Sequence, residues 1–481
     1  MPNAINILMS RFTKLILPAS VFLSIALLFA GVALAQHQGE PPSDMLTANF
    51  TGNDAEQSID LQQAIQIALE KNPLRKAALA DQKAAAAEVN QARSQLLPHI
   101  GFSEAATRGN DPVYVFGTRL RQQRFTAADF ALSQLNRPTP IGNFSSRFAG
   151  EWNLFDSLAS WRNVARSRFL QQASAQQLER TDQELVFHAV QTYYGLLLAE
   201  KQLDVAQQSM TTSESVLDQA KNRFDSGLVV ESDFLSAQVN AASRQQELIR
   251  ARNGVSLAQA ELGIALGLVT PTSFKPAEVL SETLPQVQAL PDLENTALAQ
   301  RPDLRRIRSE EAAQQKSVSM AKSSFGPQLD AFASWQTDTV NVFSNGGNNW
   351  LGGVELKLDL FSGGAKRASL AQQKAVQDRI VAGRQSYENQ VRLEVRRAFY
   401  DFQSACQQID VARASSAQAK ESLRISQDRY ESGLATITDL LQIQQAMAQA
   451  QTNYWNAVYQ CRATYANLQL ASGTLNSNSL W

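Results

Sequence analysis

Residues 223–228 read Arg223-Phe224-Asp225-Ser226-Gly227-Leu228, and 206 positions later residues 429–434 read Arg429-Tyr430-Glu431-Ser432-Gly433-Leu434. The same offset carries Phe155 to Phe361, Tyr193-Tyr194 to Phe399-Tyr400, Asp233 to Asp439 and Gly267 to Gly473. Nearer the start of each copy the offset is 229: Asn72-Pro73 answers to Arg301-Pro302, and Leu97-Pro98 to Gly326-Pro327. A period kept by so many landmarks in order is an internal duplication. The change of offset places one 23-residue insertion between Pro98 and Phe155, roughly at 108–142, in a segment that reads as a loop.

Each Ser-Gly-Leu joins two long helical stretches, 157–225 to 231–266 and 364–431 to 437–472. Leu196, Leu203, Met210, Leu217 and Phe224 recur every seven residues, with Ala199, Ala206, Ser213 and Ala220 between them. The second copy repeats the seam as Phe402, Ile409, Ser416, Leu423 and Tyr430, and Leu440, Met447, Tyr454, Cys461 and Leu468 form another on its return stretch. Heptads predict coiled-coil packing. At 1.5 Å per residue a helix of about seventy residues reaches ~100 Å, which does not suit a compact globular enzyme. Glycine at each turn fits a left-handed residue closing a helix. Asp233 and Asp439 fall in the first turn of the return helices, where the macrodipole stabilises a carboxylate.

Before each long helix lies a candidate hairpin. In 143–154 Phe144, Phe148, Trp152 and Leu154 alternate with Asn143, Arg147, Glu151 and Asn153; in 350–360 Trp350, Val354, Leu356, Leu358 and Leu360 alternate with Glu355, Lys357 and Asp359. Period two predicts strands with one apolar and one polar face, partnered by 99–107 and 328–337. Strands of this length suit a membrane band ~25 Å tall, with Trp152, Trp335, Trp350, Phe155 and Phe361 as interfacial aromatics. A soluble sheet covered by a helix is the alternative. Four strands cannot close a barrel, and a sheet spanning lipid has no open edge. Membrane strands therefore require oligomerisation, and three copies supply twelve.

The N-terminal 35 residues hold Arg11 and Lys14, no acidic residue, an apolar stretch Leu15–Leu34 and the small-residue site Ala33-Leu34-Ala35. This is the layout of a secretory signal peptide, the alternative being a retained membrane anchor. Gln36 follows where a lipidated chain would carry cysteine. Its removal leaves 42 basic against 45 acidic side chains, a net of −3, which argues against nucleic acid as a partner. Two cysteines are too few for a disulfide scaffold. Yet Cys406 and Cys461 are equidistant from the Gly433-Leu434 turn, so an antiparallel hairpin brings them side by side as a candidate disulfide. Cα atoms more than about 7 Å apart exclude it. The chain has no HExxH, Walker A or GxSxG pattern, and His37, His99 and His188 share no ligand spacing. No catalytic, cofactor-binding or metal-binding residues are therefore expected.

The duplicated order, the Asn72-Pro73 and Arg301-Pro302 starts, Leu97-Pro98 before the first strand and the paired Arg-aromatic-x-Ser-Gly-Leu turns resemble the TolC family of outer-membrane efflux proteins over nearly all of 59–473. The resemblance implies a mainly α fold with a membrane β-barrel portion. Long antiparallel coiled-coil helices would form a periplasmic tunnel, and four strands per chain would enter a trimeric twelve-stranded barrel. It implies a non-enzymatic exit duct of a tripartite efflux or type I secretion system, located in the outer membrane with a large periplasmic portion. Its partners would be two further copies, a periplasmic adaptor, an inner-membrane pump and outer-membrane lipid. Such ducts pass drugs, metal ions or polypeptides alike, the pump making the choice. The alternative is a periplasmic coiled-coil structural or adaptor protein without a pore.

On this reading the chain divides into a signal peptide (1–35), an extension (36–58) and a first repeat (59–267, with hairpin 98–155 and helix pair 157–266). A connector (268–300), a second repeat (301–473, with hairpin 327–361 and helix pair 364–472) and a tail (474–481) follow. The family closes its tunnel at the inner helix tips. Ser226, Gly227, Leu228, Ser432, Gly433 and Leu434 are the expected adaptor-docking tips. Tyr430 and Asp233 occupy the positions of a tyrosine-to-aspartate hydrogen bond that holds the closed state. A second link uses an arginine just after the tip glycine, where this chain has Ala435. Of two aspartate rings lining the constriction, Asp439 matches the first and Gln442 stands at the second, which predicts a weaker lock and a less anionic constriction. For Asp439 a gate role and a simple helix-start role both remain open. By family topology the insertion faces outside the cell, either as a solvated loop or as a segment that narrows the mouth or binds lipid phosphates.

Overall fold

The computed structural model describes residues 57–268, 274–280, 286–342 and 344–476; the expected signal peptide and nearly all of the extension lie outside them. The first half runs β1 (Gln57–Ile59), α1 (Leu61–Lys71), α2 (Pro73–Ser94), β2 (His99–Gly109), α3 (Pro112–Arg121), α4 (Leu132–Asn136), β3 (Ile141–Phe155), α5 (Ala159–Asp225) and α6 (Glu231–Ala265). The second runs β4 (Phe274–Pro276), α7 (Leu290–Gln300), α8 (Pro302–Ser323), β5 (Gln328–Thr339), β6 (Gly347–Lys357), α9 (Ala365–Glu431) and α10 (Ile437–Ser472). The long helices α5 and α9 each have 67 residues, ~100 Å at 1.5 Å per residue.

Local chemistry explains the starts. Asp60 and Gln63 form a reciprocal capping box on α1. Asn72 caps α2 through Leu74 N–H, with Pro73 at the first position, where its missing N–H costs nothing. The connector expected to be irregular carries β4 and α7, because Pro291 opens a helix there and Asp292 occupies its first turn. Reading every proline between 268 and 300 as a breaker missed this.

The repeated Asn-Pro and Arg-Pro starts have a packing reason. Gly267 and Gly473, both left-handed, close the return helices and lie directly against Asn72 and Arg301; an added Cβ would come within 2.5 Å of Asn72 Cα and 2.9 Å of the Arg301 side chain. From each start a side chain reaches back to the facing helix: Asn72 Nδ2 donates to Ala265 O (3.0 Å) and Arg301 Nη1 to Ala471 O (3.2 Å). Arg301 is almost fully buried and also binds both Asp303 oxygens (3.1 and 2.6 Å) and Glu394 (2.8 Å). The second copy thus replaces an amide by a charged network, completed by Tyr387 Oη donating to Asp303 at 2.9 Å.

The main core lies where α1, α7 and the β1–β4 pair pack on the middle of α5 and α9, around Ile59, Leu61, Ile65, Tyr193, Leu196, Phe274, Val391, Val395 and Leu468. Tyr193 Oη donates to Ile59 O (3.2 Å), so its polar end is satisfied inside the core. The predicted seams are buried at Phe402, Ile409, Tyr430, Leu440, Met447, Cys461 and Leu468. In the first copy Leu203, Met210 and Leu217 are only half-buried. Leu196, Ser213 and Ala220 of that seam are buried, together with Val205 and Val216, each one residue away from it.

Cys406 and Cys461 are joined by a disulfide with Cα atoms 4.8 Å apart, linking α9 to α10 across 55 residues. Replacing both by alanine is expected to destabilise the hairpin by about 2–4 kcal/mol. Thermal unfolding under non-reducing conditions should show the loss, and reduction of the native protein should mimic it.

The two hairpins form one antiparallel sheet in the order β2-β3-β5-β6. Strand β6 ends at Lys357, short of the alternation that runs to Leu360. Its partner β5 begins at Gln328, and the preceding Pro327 has no N–H to continue the ladder. The register sets Phe102, Phe148, Trp335 and Trp350 in one row across all four strands. Ile100, Trp152, Ala331, Val354 and Leu356 share that face, and the large side chains among them are exposed. The opposite face carries Arg147, Glu151, Asn153, Asp330, Gln336, Asn349, Glu355 and Lys357. At the base Trp152 Nε1 donates to Leu96 O (3.0 Å), tying the sheet to the end of α2.

The insertion is not the simple loop expected. Asp111 caps α3 through Tyr114 N–H (2.8 Å) with Pro112 at its start, and Ala127–Phe130 forms a short 3₁₀ turn before α4. Val115, Thr118 and Gln122 are buried along one side of α3, a helical spacing hidden in a segment whose Arg and Gln content reads as solvated.

Helix tips and barrel wall as the candidate functional site

At both tips the chain turns in a Schellman geometry. Leu228 N–H bonds to Arg223 O and Leu434 N–H to Arg429 O, each at 2.8 Å, around left-handed Gly227 and Gly433 (φ 72° and 75°). Leu228 and Leu434 point into solvent, 75% and 70% exposed, whereas the residue after such a glycine commonly packs back on its own helix. Ser226 and Ser432 are also exposed and bond back to Asn222 O and Asp428 O.

Behind the tips a small core draws all four long helices together: Val216 and Ala220 of α5, Ala237 of α6, Tyr430 of α9, and Ile437 and Leu440 of α10. Ala435 packs at its edge. Tyr430 is buried here, and its hydroxyl makes no hydrogen bond. The bond to Asp233 implied by the resemblance is therefore not formed in this chain. Burial raises the tyrosine's pKa, the Arg223 charge opposes this, and the nearby Asp233 charge adds to it.

Arg223 makes the link between the hairpins instead. Its guanidinium lies 4.7 Å from the centre of the Tyr430 ring and donates to Glu431 O at 2.6 Å. Gln219 adds a longer bond to the Glu431 carboxylate (3.4 Å). A stacked arginine with a charge-assisted bond is worth roughly 1–2 kcal/mol at a half-buried site. Within the duplicated turn nothing in the sequence separates Arg223 from its counterpart Arg429, which lies over its own turn and reaches Leu434 O (3.4 Å). Accordingly, Arg223→Ala should raise the open fraction of the pore in bilayer recordings, while Tyr430→Phe should leave it near the native value. Equal opening by both variants would favour the tyrosine hydroxyl as the lock.

Asp439 closes a capping box with Thr436, accepting from its hydroxyl (2.7 Å) and its N–H (3.3 Å). These bonds, with Arg429 nearby, hold its carboxyl below the ordinary aspartate range. Asp439 and Gln442 are both exposed, three residues apart on one side of α10. The helix-start role is thus present, and the charge still faces solvent. Asp439→Asn should lower cation preference or divalent-cation block of the pore; unchanged selectivity and block would leave Asp439 only its capping role.

The wall completes the site. The aromatic row is uncovered by any helix, with Phe102 and Phe148 ring centres 4.8 Å apart and Phe148 and Trp335 6.1 Å apart. Strands β2 and β6 each pair on one side only. Among the described residues no helix is long and apolar enough to cross a membrane. His188 is exposed on α5.

The profile described as "Outer membrane efflux protein" matches residues 64–268 and 293–474. The chain is 23% identical over 425 residues to the alkaline protease secretion protein AprF of Pseudomonas aeruginosa, covering 86% of this chain and 84% of that one. It is 25% identical over 448 residues to the outer membrane protein TolC of Escherichia coli, covering 88% and 84%. In fold it is similar to a membrane protein of Pseudomonas aeruginosa (TM-score 0.75, 20% identity, 91% of this chain and 99% of that one). The CmeC outer membrane channel of Campylobacter jejuni is also similar (TM-score 0.71, 18% identity, 92% and 95%).

Proposed function

The chain belongs to the outer membrane efflux protein family, and from that premise we propose that three copies form an exit duct through the outer membrane. The barrel of this duct is continuous with a helical tunnel in the periplasm. One observation carries the reading: an apolar sheet face with no protein cover, bounded by two unpaired edges and joined directly to helices of 67 residues. In lipid an open edge leaves backbone groups unsatisfied at several kcal/mol each. Strand β6 of one copy therefore pairs with β2 of the next, and three copies close twelve strands. A coiled-coil adaptor without a pore would have no use for the uncovered aromatic row.

The duct takes its cargo from a periplasmic adaptor and an inner-membrane pump. The adaptor meets the helix tips, where exposed Leu228 and Leu434 with Ser226, Gly227, Ser432 and Gly433 offer an apolar knob at each turn. The work of the chain is conduction rather than catalysis. Fractionation followed by reconstitution tests the reading. A trimer recovered from the outer membrane that conducts in planar bilayers is expected, and a soluble periplasmic monomer would overturn it.

A further inference from the structure

The insertion between β2 and β3 folds back over the polar face of the sheet, at the end away from the long helices. Its contacts reach all four strands. Tyr114 Oη bonds with Thr107 Oγ1 on β2 (2.9 Å). Gln122 Nε2 donates to Asn143 Oδ1 on β3 (2.9 Å), and Asn143 Nδ2 donates to Asp338 on β5 (2.7 Å). Asn349 Nδ2 on β6 donates to Arg121 O (3.2 Å). Asp338 is fully buried under this cover and also accepts from Gln336 (2.9 Å). Gly347 lies so close to the Arg121 carbonyl that any side chain there would overlap it. Within the segment Phe116, Phe125 and the exposed Phe130 meet edge to face and Arg119 pairs with Asp129.

Its charge is one-sided. Both acids are used internally: Asp111 caps α3, and Asp129 binds Arg119 and the Thr126 N–H. Arg121, Arg124 and Arg137 are exposed and make no ion pair among the described residues, while Arg108 is exposed on the aromatic side of β2. Of the acids of the same sheet face, Glu151, Asp330 and Glu355 lie toward the helix end of the strands, and Asp338 is buried beneath the segment.

We propose that this segment is a cationic collar inside the outer mouth of the duct, narrowing it and admitting anionic solutes in preference to cationic ones. The proposal rests on the duct reading, because only a closed barrel turns the polar sheet face into a lumen. Three copies then bring nine exposed arginines to one opening, and low-dielectric walls focus such a field.

The test places a reporter thiol below the collar. Ser334 lies on the polar face of β5, four residues from Asp338 and so ~13 Å deeper. In Ser334→Cys the new thiol is the one free cysteine among the described residues, since Cys406 and Cys461 are paired. Whole cells are treated with anionic and cationic maleimides of equal size, and with a bulky one. The native collar should favour the anionic reagent by roughly tenfold at low salt, and less at high salt. Arg121→Gln with Arg124→Gln should bring the ratio toward one, and replacing 110–140 by a short turn should admit the bulky reagent. Each variant is first checked as an outer-membrane trimer. A native chain that is no trimer fails the duct reading; trimers whose charge preference is the same with and without the two arginines overturn the collar.

Discussion

Arg301→Ala is expected to cost about 3–5 kcal/mol of stability per chain, because it leaves the Asp303 carboxylate buried without its partner. Asp303 is pushed up by burial. The bonds and charge of Arg301, aided by Arg180 and Tyr387, outweigh this and hold its carboxyl below the ordinary aspartate value. A folded pKa lowered in this way contributes stability above the unfolded value, which is lost as pH falls through the folded one. In Arg301→Ala burial is opposed only by Arg180 and Tyr387 and the downward shift is lost, so the variant loses most at neutral pH. Its deficit against the native protein should narrow as pH falls from about 7 toward 4. Thermal unfolding followed by circular dichroism at several pH values reads both effects. The double change Arg301→Met with Asp303→Leu should recover much of the loss, since a buried pair can often be replaced by apolar groups of similar volume. A pH-independent deficit would mean that Arg301 acts through packing against Gly473 alone.

Val354→Arg tests the wall and should be as severe for assembly. Val354 is 67% exposed on the aromatic side of β6. An arginine facing lipid costs from about 1 kcal/mol near an interface to about 2–4 kcal/mol at the bilayer midplane, and the closed barrel carries that cost three times. The yield of outer-membrane trimer should fall sharply, while the helical content of the chain is kept. Leu351→Arg is the matched control. Leu351 is just as exposed, at 62%, but belongs to the polar face of the same strand. Its charge enters the lumen, and trimer yield should stay near native. Equal losses in both variants would mean that the two faces are not lipid and lumen.

Most of the fold was legible because a duplicated chain states each element twice. The 206-residue offset located both long hairpins from the Ser-Gly-Leu turns, and strand alternation separated the two faces before any register was known. The equal distance of Cys406 and Cys461 from the turn follows from helix geometry alone. What stayed hidden depends on contacts across the chain. The partner of Arg223 is on another helix, and periodicity says nothing about which of two like arginines will cross to it. In the insertion the buried side of α3 carries the polar Thr118 and Gln122, the latter bonded to the sheet, so no apolar stripe announced it. Pro291 misled for a related reason: proline both breaks helices and opens them, and only Asp292 and Leu293 beyond it distinguish the two.

The Tyr430 hydroxyl shows how a resemblance can carry the right residue to the wrong interaction. The tyrosine stands at the matching position and is buried in the tip core, but its ring, stacked by Arg223, is what joins the two hairpins. With Ala435 in place of an arginine, the two hairpins meet at the tip through packing, the Arg223 guanidinium and the longer Gln219 bond to Glu431.

The central claim is a barrel closed from three copies, and cross-linking of its edges tests that most directly. Cysteines placed at Ser103 on β2 and Leu351 on β6 lie on opposite edges of the sheet and on the same face. Paired strands of adjacent copies would lie ~5 Å apart, within reach of a short bis-maleimide applied to isolated outer membranes. A ladder of one, two and three copies that ends at three is expected, with either single-cysteine variant staying monomeric on denaturing gels. A ladder that runs past three, or chains that never cross-link through these edges, would contradict it.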